Sequence, residues 1–193
     1  MKPLYKWAGG KTKLINNDYK PYLPKSFSTY CEPFFGGGAM FTWAYKQNPS
    51  AKFIINDVNS HIMDIYRSIK SDYSNFRKYL DNLESQYIPL KTPKDIETNK
   101  ALQKKHALPG RRNDWQSIYN AEPSRRHFYF MMRDVYAFQF NTLTKTEESA
   151  LLYFLMQTGF NGVWQINTNT NGRFGTPCGL LKEKTSVYNK DNM

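Results

Sequence analysis

Cysteine is scarce in this sequence: Cys31 and Cys178 are its two examples among 193 residues. Neither sits in a paired spacing, which excludes zinc ribbons and disulfide-stapled scaffolds and fits a reducing compartment. Histidine is limited to His61, His106 and His127, none of them spaced as metal ligands or as partners in a catalytic triad. Long apolar runs are missing, so nothing reaches bilayer-spanning length, and the opening MKPLYKWAGGK holds no apolar signal-peptide core. The expected location is cytoplasmic, with no membrane partner. Acidic residues are in deficit, 16 against 27 Lys and Arg, for a formal charge of +11. An excess of that size favours a polyanion, with nucleic acid the first candidate. Aromatic residues are plentiful, at 16%. With a mean hydropathy of −0.70, they argue against both disorder and a membrane protein, and for one domain with a sizeable core.

Residues 27–32 (FSTYCE) read as a strand that runs into PFFGGG, and residues 39–47 (AMFTWAYKQ) as a helix stopped by Asn48 and Pro49. FIIND, ending at Asp57, reads as a second strand, and Ile62, Ile65, Tyr66 and Ile69 recur at helical spacing after it. The stretch 91–120 is polar, carries Pro93 and Pro109, and is expected to be an insertion or connector. Two further helices are expected over 125–140 and 144–158, the second opened by a capping box between Thr144 and Glu147. The segment 159–179 is rich in Gly, Asn and aromatics, and Asn171-Gly172 is a strong hairpin signal.

The order strand, glycine loop, helix, strand has a chemical meaning. Gly36, Gly37 and Gly38 let the backbone approach a ligand at the open end of a helix. Asp57 follows Gly36 by 21 residues, the place where a carboxylate accepts hydrogen bonds from ribose hydroxyls. A purely structural reading, with glycines for tight packing and Asp57 capping the next helix, stays open. The loop is entered through Glu32, whose charge would repel the pyrophosphate of a dinucleotide. A cationic nucleoside without phosphate, such as S-adenosyl-L-methionine, suits it better. No Lys-Ser or Lys-Thr follows the glycines, which excludes a phosphate-binding P-loop.

Three segments in order, KWAGGK at 6–11, EPFFGGGAMF at 32–41 with IND ending at 57, and 159–179 from GFNG to TPCG, resemble the Dam-type (D12 class) DNA adenine-N6 methyltransferases. The resemblance implies an α/β, Rossmann-like S-adenosylmethionine-dependent methyltransferase fold. Its sheet would be incomplete, and a helical and β-hairpin DNA-recognition region would follow. Residues 1–90 would bind cofactor and 91–193 would recognise the target. Trp7, Lys11, Glu32, Phe35, Gly36, Gly38 and Asp57 would hold S-adenosyl-L-methionine. The hairpin would enter double-stranded DNA, with Phe160 wedging into the stack beside Asn161, and Val163, Gln165 and Asn167 facing bases or backbone. Other members carry arginine where Gln165 stands. Glutamine prefers adenine to guanine, so the family's familiar GATC site is not implied, although Arg173 could reach a guanine from the other side of the hairpin. For Trp164 and Phe174 a core role is as plausible as a DNA role.

Positive charge beside a base-reading hairpin points to phosphate contacts. From Lys91 to Lys145 there are eleven Lys and Arg against five Asp and Glu. Arg111, Arg112, Arg125, Arg126 and Arg133 are the candidates, with a pair to Asp134 or another surface acid as the alternative for Arg133. In the family, an Asp-Pro-Pro-Tyr segment holds the amino group of the displaced adenine. No two of the ten prolines are adjacent here, so no catalytic residue is assigned. The expectation is a chain inactive alone, completed by a second chain that carries that segment. The alternative is a non-enzymatic remnant that still binds DNA or S-adenosylmethionine.

Overall fold

A computed structural model describes residues 2–91, 96–109, 112–179 and 186–188, with backbone only over 96–99. The chain starts in bends and turns, forms a single helical turn, α1 (Thr12–Leu14), and continues through a π-helical turn over Ile15–Tyr19. The strands β1 (Thr29–Glu32) and β2 (Lys52–Ile55) pair in parallel, with Tyr30 opposite Phe53 and Glu32 opposite Ile55. Parallel strands need a crossover, and α2 (Ala39–Gln47) supplies it. Phe53 packs on Phe41 and Tyr45 of α2, with ring centroids 5.4 and 5.7 Å away. The opposite face of the pair, with Thr29, Cys31, Lys52 and Ile54, is exposed. At the strand ends Phe34 and Val58 stand out at 85% and 95% exposure.

Helices dominate the remainder. In α3 (Ser60–Ser71) the expected stripe is present, with Ile62 and Ile65 fully buried. The sequence reading did not include α4 (Tyr73–Tyr87), which buries Phe76, Leu80, Leu83 and Tyr87 along one face. The expected connector over 91–120 contains α5 (Ile96–Lys105), a two-residue-strand hairpin of β3 (Ala107–Leu108) and β4 (Arg112–Asn113), and α6 (Trp115–Ala121). Asp114 caps α6 by accepting the Ser117 N–H at 3.0 Å, and this local signal starts a helix inside a polar stretch.

α7 (Arg125–Phe138) and α8 (Lys145–Thr158) form as expected. The capping box is complete: Thr144 Oγ1 accepts the Glu147 N–H, and Glu147 Oε2 accepts the Thr144 N–H at 2.8 Å. From Ser149 to Met156 every residue of α8 is buried. A helix apolar on all sides belongs at the centre of a fold, and α3, α4 and α7 surround this one. One continuous cluster of buried side chains includes Phe35, Ile62, Leu80, Phe128, Phe154 and Phe174. No helix among the described residues is long and apolar enough to cross a membrane.

Arg125 opens α7 but points inward. It is 5% exposed, and its guanidinium donates to the carbonyl of Ile88, just past the last turn of α4, at 2.6 Å. Its charge therefore satisfies a helix end. Arg125→Ala is expected to destabilise the protein by about 2 kcal/mol in urea denaturation, the worth of a charged hydrogen bond.

The segment 159–179 reverses direction where expected, with Asn171 and Gly172 both left-handed, at φ 54° and 69°. It is not a ladder-paired β-hairpin. Two isolated antiparallel bridges, Gly159 with Cys178 and Ile166 with Phe174, hold it, with short helical turns at Phe160–Gly162 and Thr168–Thr170. Side chains replace the missing ladder: Thr176 Oγ1 donates to the Val163 carbonyl at 2.8 Å, and Tyr129 donates to the Thr176 carbonyl at 2.9 Å.

Candidate functional site

The glycine loop and the end of β2 are joined through one carboxylate. Asp57 Oδ2 accepts the Gly36 N–H at 2.7 Å, and Oδ1 accepts the Asn59 N–H at 2.9 Å. Asp57 thus braces the glycine loop and the lead-in to α3 without capping that helix, whose cap position is Asn59, and each oxygen keeps a further lone pair. Gly36 and Gly38 lie at φ 52° and 69°, where side chains are strained. A Cβ at Gly37 would fall 2.5 Å from Trp7 Cβ, so Trp7 lies directly over the loop. Tyr5 donates to the Gly36 carbonyl at 3.1 Å and is itself buried.

Glu32 accepts a hydrogen bond from Tyr30 at 2.7 Å. Burial pushes its carboxyl up, against the hydrogen bonds from Tyr30 and the Phe41 backbone that pull it down, and the charge of Asp57 adds to the rise. Lys11 is exposed just before α1. Phe35 differs from its expected role: it is 2% exposed and packs on Tyr66 at 4.7 Å and Phe41 at 5.7 Å. Phe34 is the exposed aromatic of this loop. Of the two adjacent phenylalanines that follow β1 one faces in and one out, and the sequence did not say which.

Gly162 brings the segment 159–179, the expected recognition loop, against the first motif. A Cβ there would lie 2.6 Å from the Lys6 carbonyl oxygen, and the Ala8 N–H donates to the Gly162 carbonyl at 3.1 Å. Phe160, Asn161, Val163 and Gln165 are exposed around this contact. Asn161 holds φ 50°, an uncommon conformation for a residue with a side chain. Asn167 is turned into its own loop, where its Oδ1 accepts a hydrogen bond from Thr170 at 3.3 Å. Trp164, missed as a linking residue, sits between His61 at 6.2 Å, Phe174 at 5.2 Å and Trp7 at 6.3 Å between ring centroids. Phe174 is a core residue at 1% exposure. An open cavity of about 950 Å³ lies between the two motifs, lined by Tyr5, Trp7, Gly37, Ala39, Gln157 and Asn161 among others.

The described candidate arginines all make contacts within the protein. Arg173 pairs with Glu148, and its guanidinium lies between the rings of Tyr136 and Phe140, at 4.4 and 4.1 Å. Arg133 is half-buried and donates to the carbonyls of Gly175 and Thr176 at 3.3 and 3.4 Å rather than pairing across a surface. Burial lowers its affinity for a proton. Arg112 lies 3.6 Å over the Phe138 ring and 3.9 Å from Asp134, and Arg126 is half-buried over Phe130. Arg111 lies outside the described residues.

Burial pushes the Asp134 carboxyl up to about 6, although Arg133 and Arg112 pull it down. Its folded-state value exceeds the ordinary 3.8, so the stability it contributes is present at low pH and lost as pH rises through about 6. Asp134→Asn is expected to raise the melting temperature at pH 8 and to leave it unchanged near pH 4. Equal effects at both values would contradict a buried, displaced carboxyl. Cys178 is pushed up to about 12 by burial, so it is not a nucleophile at neutral pH. Among the described residues no group of His, Cys, Asp and Glu could hold a metal ion.

Comparison with known proteins places this arrangement. A family profile described as D12 class N6 adenine-specific DNA methyltransferase matches residues 7–193. The chain belongs to that family. Within it, the chain is 26% identical over 198 residues to type II methyltransferase M.MjaIII of Methanocaldococcus jannaschii, covering 100% of the chain and 57% of that protein. It is 34% identical over 182 residues to type II methyltransferase M.CviBI of Paramecium bursaria Chlorella virus NC1A, covering 94% of the chain and 52% of that protein. It is also 23% identical over 193 residues to the DNA adenine methylase of Haemophilus influenzae, covering 51% of that enzyme. The chain thus spans about half the length of the curated relatives it matches. Trp7, the glycine loop, Asp57 and the recognition loop all fall inside the matched D12 residues.

Proposed function

We propose that the chain is the cofactor- and target-binding portion of a DNA adenine-N6 methyltransferase, built on a Rossmann-like half-sheet, with residues 1–90 holding S-adenosyl-L-methionine and 91–193 engaging double-stranded DNA. One observation carries this reading. Trp7 covers the Asp57-braced glycine loop and, through Ala8 and Gly162, touches the recognition loop, so both ligands would meet at one cavity. The glycine cradle, closed to any Cβ at Gly37, and a carboxylate with spare lone pairs suit an adenosine. When bound, S-adenosyl-L-methionine supplies a methyl group on a cationic sulfur.

The residues of this chain bind and orient. Asp57 would accept the ribose hydroxyls, and Trp7 would wall off the methionine end with Lys11 nearby. Glu32 adds a negative potential that favours a cation over a phosphate. Phe34 offers a ring at the loop mouth. On the DNA side, Phe160 and Asn161 would occupy the space left by a displaced adenine, an extrusion that costs a few kcal/mol. Val163 and Gln165 would face neighbouring base edges. No Asp-Pro-Pro-Tyr occurs in the sequence, so transfer to the adenine amino group draws that segment from outside these 193 residues, in a cytoplasmic setting.

Calorimetry of the purified chain with S-adenosyl-L-methionine tests the reading. The expected result is saturable binding, retained with the non-reactive analogue sinefungin, and no transfer of tritiated methyl to duplex DNA by the chain alone. No heat with either compound would overturn the cofactor assignment, and methyl transfer by the lone chain would overturn the need for the outside segment.

A further inference from the structure

We propose that His61 is a positioning residue that couples the two ligand sites: through its stack on Trp164 it sets how the segment 159–179 meets DNA when the cofactor loop is filled. The inference rests on the cofactor and duplex reading above and adds how one ligand is felt at the site of the other. The segment lacks a hairpin ladder, with two isolated bridges in its place, so its posture depends on side-chain contacts. Val163 and Gln165 are exposed, and Trp164 between them is half-buried, so the seat of Trp164 fixes the two side chains beside it. The Trp164 ring lies 6.2 Å from the imidazole of His61, at an angle of 26°. It also lies 5.2 Å from Phe174 and 6.3 Å from Trp7, which covers the glycine loop.

His61 stands in the first turn of α3, the helix whose lead-in Asp57 braces. Asp57 Oδ1 accepts the Asn59 N–H, and the Asn59 carbonyl accepts the Ile62 N–H at 3.1 Å. The other side of the imidazole is fixed as well. Its Nδ1 shares a hydrogen bond with the Tyr136 hydroxyl of α7 at 3.2 Å, and Tyr136 is a core residue at 1% exposure. Burial, and then the charge of Arg173, lower the affinity of His61 for a proton, so a neutral ring meets Trp164 at neutral pH. Two routes therefore join the same two sites. One runs from Asp57 through the first turn of α3 and His61 to Trp164, the other from the glycine loop through Trp7 to Trp164. Trp164 is the element with two states, seated among His61, Phe174 and Trp7 or withdrawn into solvent. A half-buried ring leaves its seat at lower cost than a buried one. A cofactor that orders the glycine loop and α3 favours the seated state, and a duplex that needs Val163 and Gln165 in place favours it too. Each ligand then strengthens the other by the same factor.

The test is a binding cycle on the full chain, with calorimetry for sinefungin and fluorescence anisotropy for a labelled duplex. Saturating duplex should tighten sinefungin binding by about 5-fold or more, and saturating sinefungin should tighten the duplex by the same factor. His61→Gln keeps a hydrogen-bonding group for Tyr136 but removes the ring. It should bind each ligand alone and bring the coupling factor to about 1. His61→Phe keeps a flat ring on Trp164 and should retain the coupling. Trp164→Leu removes the other half of the stack and should match His61→Gln. A residue that only stabilised the fold would lower the urea midpoint and leave the factor in place. Coupling intact in His61→Gln and Trp164→Leu, or lost in His61→Phe, would overturn the inference, as would a wild-type factor of about 1. Those outcomes leave both ligand assignments standing. A wild-type chain that fails to bind sinefungin or the duplex would instead remove the reading on which the inference rests, and the inference with it.

Discussion

Glu148→Ala should destabilise the protein by about 3–5 kcal/mol, the cost of leaving a buried charge without its partner. Arg173 and Glu148 are 14% and 13% exposed, and the rings of Tyr136 and Phe140 close the space around the guanidinium. Removing the carboxylate leaves that cation facing aromatic faces alone, and Lys145 loses one of its two acidic partners, keeping Asp64. The segment 159–179 would loosen as well, because Arg173 ties its returning arm to α8 alongside the Gly179 N–H that donates to the Thr158 carbonyl at 2.9 Å. The double variant Glu148→Ala with Arg173→Leu should recover much of the loss, since an apolar side chain in an aromatic slot carries no desolvation penalty. Urea denaturation measures both. A single-variant cost below about 1 kcal/mol would mean that water screens the pair, and that the loop is held by Tyr129 and Arg133 instead.

Asp57→Ala is expected to cost about 2–3 kcal/mol of stability and to weaken S-adenosyl-L-methionine binding beyond detection by calorimetry. One carboxylate accepts both the Gly36 and Asn59 amides, so its loss releases the glycine loop and the lead-in to α3 together. Asp57→Asn separates the two roles. An amide has a single acceptor oxygen, so one of the two backbone N–H groups would face an NH₂. A variant that stays folded yet binds no cofactor would assign the side chain to the ligand. Full cofactor affinity in either variant would remove Asp57 from the ribose site.

Local signals in the sequence were legible where local physics decides. α2 ends where Asn48 and Pro49 stop it, the Thr144–Glu147 box opens α8, and Asn171-Gly172 reverses the chain. Where a distant partner decides, the sequence was silent. An arginine reads the same whether it meets a phosphate or a carbonyl, and only the fold brings Ile88 to Arg125, or Gly175 and Thr176 to Arg133. A β-hairpin reads from its turn, but hydrogen bonds from Thr176 and Tyr129 take the place of its ladder. α4 was legible in retrospect, since Phe76, Leu80, Leu83 and Tyr87 recur at helical spacing. Its apolar stripe is interleaved with charged and polar residues. At the candidate site the glycine loop and Asp57 could be paired by spacing, whereas the choice between Phe34 and Phe35 needed the third dimension.

The uncovered side of β1 and β2 has a practical consequence. Main-chain groups at a strand edge are an adhesive, and Ile54, Phe34 and Val58 add grease beside them. Solutions of the isolated polypeptide should therefore cluster as they are concentrated, and light scattering should rise unless a mild detergent shields that side. The thiol of Cys31, exposed on the same side, makes a convenient reporter: its labelling by a maleimide should slow whenever anything, including another molecule of its own kind, settles there.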